Sequence, residues 1–265
     1  MSDRRVDVLL IGGGVASSSA AQALAERGFE GSALLVGREL DPPYERPPLT
    51  KDYLRGEQPR EAAHHPEAGW FDGSPVELLT RASVMKLDSE AREATLSTKE
   101  VVAYDQALVA TGAMVRRLQV DGTQLDGLHY LRAFGNADAI RADLEAHDGG
   151  IVCVGGSYIG CEVAASLAAV GRKVTIVMQE DEPLQRTAGA QVGRFVRGLL
   201  EAHGVTVLGG EDIASFSGEE RVTALHTASG REIPADIAVL GVGVNPDVML
   251  ARSAGLELGE SGGGQ

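Results

Sequence analysis

Val6-Asp7-Val8-Leu9-Leu10-Ile11-Gly12-Gly13-Gly14-Val15-Ala16-Ser17 is the stretch on which the fold turns. Its first six residues form a near-continuous apolar run, the pattern of a strand buried in a parallel sheet. Three glycines follow, then an alanine-rich helical pattern from about Val15 to Arg27 that Gly28 stops. A second apolar strand, Ala33 to Val36, completes a β-α-β unit. Gly12, Gly14 and Ser17 fit G-x-G-x-x-small. In that pattern the first glycine permits the strand-to-helix turn and the second lets the backbone approach a pyrophosphate. The third small residue allows close helix–strand packing, and the helix N-terminus faces the phosphates. A glycine turn without function is the alternative, but the strand before and the helix and strand after favour nucleotide binding at this turn. Glu39, near the end of the second strand, is the candidate for the ribose contact. Beside it, Arg38 is either a solvated charge or packs over an adenine.

The same plan recurs at Ile151–Val154, with Gly155-Gly156, a helix from about Tyr158 to Val170, Gly171, and a strand from Val174 to Met178. A recurrence on this scale is a duplicated domain type rather than a solenoid. Gly155-Gly156-Ser157-Tyr158-Ile159-Gly160 fits the fingerprint with Ser157 at the second glycine position. The serine narrows the approach to a pyrophosphate but adds a hydroxyl that can bond it. Glu180, after the strand, is placed to bond ribose hydroxyls, and the polar and acidic run Gln179–Glu182 repels a 2′-phosphate. Arg172 and Lys173 lie at the wrong end of the strand to hold one, so NAD(H) is expected ahead of NADP(H). Glu162 reads as a first-turn acid, which the helix dipole favours, and a simple capping role explains it nearly as well.

The rest of the chain supports an α/β protein with two Rossmann-like, three-layer ββα domains. At 265 residues it has room for about two domains of ~150 residues. A net charge of −14 argues against a phosphate-tracking nucleic-acid binder. A hydrophobic fraction of 43% excludes wholesale disorder. Cys153 and Cys161 form no C-x-x-C pair and read as small core residues, which removes a dithiol relay and suggests a reducing, cytoplasmic setting. Cys161, Ala164, Ala165 and Ala168 fall on one helix stripe. Val6–Ile11 is too short for a membrane span, so the chain is expected to be soluble. The six histidines show no metal-ligand spacing, and no metal is expected. Asp41 to Pro75 reads as irregular, with one short helix near Lys51–Leu54 and Trp70 and Phe71 as anchors. Further strands are expected around 76–79, 83–87, 94–97, 107–110, 205–208, 222–227, 231–233 and 237–240, and helices over 136–147 and 192–203.

Pro43-Tyr44-Glu45-Arg46-Pro47-Pro48-Leu49-Thr50-Lys51 closely resembles the P-Y-x-R-P-P-L-S-K signature of the FAD-dependent ferredoxin, rubredoxin and putidaredoxin reductases. Apoptosis-inducing factor shares that fold. Ala110-Thr111-Gly112-Ala113, Tyr130-Leu131-Arg132 and Gly241-Val242-Gly243-Val244-Asn245-Pro246 resemble further elements of the family. The resemblance implies an FAD-binding domain over 1–112, an NAD(P)H-binding domain over 113–244, and a segment 245–265 that starts back toward the first domain and ends in a flexible tail. Gly12, Gly14 and Ala16 would line the FAD pyrophosphate, and Val84 would meet the adenine. Arg46 and Lys51 would reach the flavin side, and Ala110, Thr111, Gly112 and Arg132 would close the site. Glu162 would lie near the nicotinamide and Lys51, and the Gly241–Gly243 turn would pass close to the nicotinamide. A cation near the flavin N5–C4 edge stabilises the reduced, anionic ring; as bare loop charges, Arg46 and Lys51 would simply be solvated.

The implied reaction is transfer of hydride from NADH to FAD and of electrons to a ferredoxin- or rubredoxin-like iron–sulfur acceptor. No nucleic-acid or membrane partner is implied. The family continues past the NAD(P)H unit to a late G-D motif and a C-terminal domain that this sequence does not contain, so the first domain reads as incomplete. The alternative is a truncated nucleotide-binding module that binds NAD(H) without flavin turnover.

Overall fold

A computed structural model describes residues 2–259; the tail expected at 261–265 lies outside the described residues. The chain divides into two compact units, one built from 1–45, 60–114 and 245–265 and the other from 46–59 and 115–244.

The first unit is organised by β1 (Arg4–Ile11), α1 (Val15–Glu26) and β2 (Ala33–Val36), followed by β3 (Val76–Leu79), β4 (Val84–Asp88), β5 (Glu93–Leu96) and β6 (Val101–Val109). They form one sheet in the order β3-β2-β1-β6-β5-β4. The β3, β2, β1 and β6 strands are parallel, with Leu9 opposite Leu34 and Ala107, and β5 and β4 run antiparallel. The apolar run of β1 is needed because both faces of the sheet are covered. Leu10, Ala21, Ala33, Leu35 and Val76 pack together on the α1 side, with Trp70 and Phe71 against them. Val6, Leu9, Ile11, Leu34, Leu87, Leu96 and Val102 form the core of the other face, to which Leu250 of a short helix Met249–Ser253 is added. Burying each such leucine contributes about 1.5–3 kcal/mol. At its C-terminal end α1 stops where Gly28 takes a left-handed φ of +67°.

The strand expected at 107–110 is in fact the nine-residue β6. It extends through the polar pair Asp105-Gln106, where Asp105 is ion-paired with Arg5, and the ladder with β1 continues past it.

The second unit carries a five-stranded parallel sheet in the order 206–208, 174–177, 151–154, 237–240, 128–129. A three-stranded antiparallel sheet adds Ile213–Ser217, Ala224–Thr227 and Glu232–Pro234. The first of its strands has no sequence counterpart above, because only Phe216 of its five residues is buried and the alternation is faint. Helix α2 (Phe134–Ala146) begins two residues before the expected Asn136, whose side chain instead reaches back to accept from the backbone N–H groups of Arg132 and Ala133. Helix α3 (Tyr158–Ala169) buries Cys161, Val163, Ala164 and Leu167, while Ala165 is exposed and leaves the expected stripe. Helix α4 (Gln185–Ala202) starts earlier than expected, because the chain resumes its helix across a break at Gly189 with φ +82°.

Residues 46–59, assigned by sequence to the first domain, cluster with the second unit. A 3-10 turn over Pro47–Thr50 replaces the helix expected at 51–54; a proline at its start has the required φ and no N–H to lose. Tyr53 then packs edge-on against Phe134 with centroids 4.8 Å apart and donates its hydroxyl to Asp138.

Candidate functional site

The first glycine turn is shaped by what surrounds each glycine. Gly12 has φ +116°, and a Cβ there would collide with the Ala110 carbonyl oxygen. Gly13 backs onto Gly37. A Cβ on Gly14, by contrast, would meet nothing within 4 Å. Gly14 is the N-cap of α1, has no side-chain cap, and is followed by no acid in the first turn. The first N–H groups of that helix therefore face open space beside Val15 and Ala16, as a pyrophosphate requires.

Around this turn, Tyr44 donates its hydroxyl to Glu39. Arg38 is exposed, as a solvated charge would be, and its guanidinium also pairs with Asp247 at 3.3 Å. The backbone of Asp247 is in turn bonded by Thr111 Oγ1 at 2.6 Å and donates to the Gly112 carbonyl at 2.9 Å. Ala110 donates to Ile11 at 2.8 Å, and Val84 is half-buried against the sheet core.

In the second unit Gly155 has φ +102° and lies against the Gly241 carbonyl, closer than a Cβ would tolerate. Gly156 lies against the Met178 sulfur and Gly160 against the Gly155 carbonyl. Ser157 caps α3 through its backbone only, because its hydroxyl donates to the Gly241 carbonyl at 3.0 Å. That hydroxyl is thus bonded to the neighbouring Gly241 turn. Tyr158 is exposed, Ile159 and Val242 are half-buried, and the carbonyl of Gly243 accepts from Arg116. Glu180 is ion-paired with Arg186, so its carboxylate is shared with a cation at the first turn of α4. Met178, at the end of its strand, is buried.

Lys51 and Glu162 are brought together. The Lys51 Nζ lies 2.8 Å from Glu162 Oε2, and Thr50 Oγ1 is 2.6 Å from the same oxygen. Glu162 is the fifth residue of α3, past the first turn, so the pair and the Thr50 hydroxyl, rather than the helix dipole, hold its charge. Arg46 donates to the Arg132 carbonyl, which brings two more expected residues into contact. Thr50, Ser166 and Asp247 were not singled out from sequence. Of these only Thr50 carried a signal, as the hydroxyl residue before the lysine of the proline-rich signature.

Other polar groups are structural. Burial pushes the Cys153 thiol up to about 12 and the Cys161 thiol to about 11. At pH 8 both stay protonated, so a disulfide reagent such as DTNB is expected to label neither in the native chain and both after denaturation; rapid native labelling of either would show an open path to it. Burial raises the Asp143 carboxyl, but hydrogen bonds from Arg221 and His129 outweigh it and leave the group below its usual range. His65 bonds Ser18, His203 the Leu199 carbonyl and His226 Ser217. Among the described residues no group of three or more His, Cys, Asp or Glu could hold a metal, and no helix is long and apolar enough to cross a membrane.

A model of the pyridine nucleotide-disulphide oxidoreductase family matches residues 6–265. The ferredoxin--NAD(+) reductase subunit of the benzene 1,2-dioxygenase system from Pseudomonas putida is 39% identical over 252 residues, 94% of this chain and 60% of that protein. Rubredoxin-NAD(+) reductase from the same organism is 31% identical over 95% of this chain and 65% of its own length. Among solved structures, the ferredoxin reductase of the CYP199A2 system of Rhodopseudomonas palustris superposes with a TM-score of 0.90 at 28% identity, over 97% of this chain and 63% of that one. The covalent putidaredoxin reductase–putidaredoxin complex gives the same TM-score at 29% identity, over 98% and 63%. The chain spans about 60% of the length of the curated relatives it matches.

Proposed function

Because this chain belongs to the pyridine nucleotide-disulphide oxidoreductase family, we propose that it is an FAD-dependent NADH reductase chain that delivers electrons to a small iron–sulfur protein of the ferredoxin or rubredoxin class. The observation that carries this reading is the twice-built turn. Each Rossmann-like unit opens a helix whose N-terminus has neither a side-chain cap nor an acid in its first turn. Relatives named as ferredoxin and rubredoxin reductases, and a neighbour solved with putidaredoxin bound, support the acceptor class.

In this reading residues 1–112 supply the FAD domain, 113–244 the NAD(H) domain, and 245–265 return to the first. Gly12, Gly14, Val15 and Ala16 hold the FAD pyrophosphate, Glu39 its ribose, and Thr111 and Gly112 brace the turn through Asp247. Gly155, Gly156 and Gly160 bring the backbone of α3 to the NADH pyrophosphate, and Lys51 and Glu162 stand at the reacting edge. Bound FAD supplies the step from a two-electron donor to one-electron acceptors. The Lys51 ammonium offers positive charge where negative charge develops, and at rest it is paired with Glu162. Two buried thiols and no disulfide fit a cytoplasmic setting.

The chain supplied with FAD is expected to turn yellow and to bleach on adding NADH under nitrogen, faster than with NADPH. A chain that binds NADH yet stays colourless with FAD is a nucleotide-binding module without turnover, and the reductase reading fails.

A further inference from the structure

We propose that Thr50 is a positioning residue that keeps the Glu162 carboxylate in place so that Lys51 can leave it, an inference that rests on the roles given above to Lys51 and Glu162. Both donors converge on one oxygen, Thr50 Oγ1 at 2.6 Å and Lys51 Nζ at 2.8 Å from Glu162 Oε2. The Thr50 hydroxyl has a single proton and a second acceptor, the Pro47 carbonyl, at 3.0 Å. The charged acceptor at the shorter distance takes the proton.

The two donors differ in mobility. Lys51 is a four-carbon stem whose side chain is 41% exposed. Thr50 is buried, β-branched and stiff at χ1. Its backbone is fixed as well: Ser166, 3% exposed, donates to the Thr50 carbonyl at 2.6 Å, and Arg55 donates to the Ser166 oxygen at 3.2 Å. Arg55 is itself anchored by Asp52 and Glu57. When Lys51 swings away, Glu162 keeps one charge-assisted hydrogen bond and is not left as an unpartnered, half-buried charge. Without the hydroxyl, Lys51 becomes the sole donor of the pair and is released less often.

The test needs neither flavin nor nucleotide. The whole 265-residue chain has four lysines, Lys51, Lys86, Lys99 and Lys173, whose methylation by [13C]formaldehyde and borane can be followed separately by NMR. Lys51→Arg identifies the Lys51 signal. Thr50→Val is expected to slow Lys51 methylation by about threefold, the scale of one ordinary hydrogen bond, with the other three lysines unchanged. Thr50→Ser is expected to restore the rate. Should Thr50→Val fail to fold, seen as altered rates at the other lysines, Thr50→Ala is read in the same way. An unchanged Lys51 rate in the hydroxyl-free variant, or a serine variant as slow as it, overturns the proposal. Such a failure leaves the reductase reading standing, while a colourless chain in the flavin test leaves this measurement intact.

Discussion

Gly12→Ala is expected to lower the stability of the chain by about 2–6 kcal/mol and to abolish retention of FAD. Two terms add. The backbone is at φ +116°, where a side chain brings strain of about 1–3 kcal/mol. The new methyl would also press on the Ala110 carbonyl, so β1 or the 110–112 loop must shift, a cost of about 1–3 kcal/mol in a packed interior. Gly14→Ala is the control, since its Cβ meets nothing within 4 Å and its φ of −106° is open to any residue. That variant should keep its stability within about 0.5 kcal/mol and still lose affinity, because the methyl fills the approach to the helix N-terminus. Urea denaturation read beside the flavin-to-protein absorbance ratio separates the two. Equal destabilisation by both alanines would show that the turn is not shaped as described.

The features readable in sequence are those whose physics is local. A six-residue apolar run, glycines and an alanine-rich helix announce Val6–Glu26 because each signal is adjacent to the next. The recurrence at Ile151–Ala169 is legible for the same reason. Long-range partners were not. Ser166 bonds the Thr50 carbonyl across 116 residues and Thr111 bonds Asp247 across 136, and no periodicity encodes either. Ser157 and Glu180 depend on the fold in the same way. Their residue types suit a nucleotide, and only the fold supplies their protein partners, the Gly241 carbonyl for the Ser157 hydroxyl and Arg186 for the Glu180 carboxylate. Residue type names a capacity, and the partner decides how it is used. The grouping of 46–59 with the second unit follows the same rule, because it depends on Tyr53 meeting Phe134 rather than on any signal inside the segment.

Lys51→Met should slow reduction of bound flavin by NADH by about 100-fold while changing the Kd for NADH by less than about threefold. A cation brought to developing negative charge contributes about 3 kcal/mol to the transition state, or roughly two orders of magnitude in rate. It contributes little to the ground state, because the Lys51 ammonium is then engaged by Glu162 at 2.8 Å and not by the nucleotide. Methionine keeps the length and apolar stem, so loss of packing is minimised. Glu162 retains Thr50 as a donor at 2.6 Å, which limits disturbance of α3. Stopped-flow absorbance under nitrogen gives the reduction rate at saturation, and its dependence on NADH concentration gives the Kd. Equal loss in both would mean that Lys51 binds nucleotide and does not act at the reacting edge. Lys51→Arg discriminates further, since it keeps the charge in a wider, planar group that is not interchangeable with an ammonium. A rate between wild type and Lys51→Met ties the effect to charge, and a rate equal to Lys51→Met ties it to the compact ammonium that Glu162 and Thr50 are arranged around.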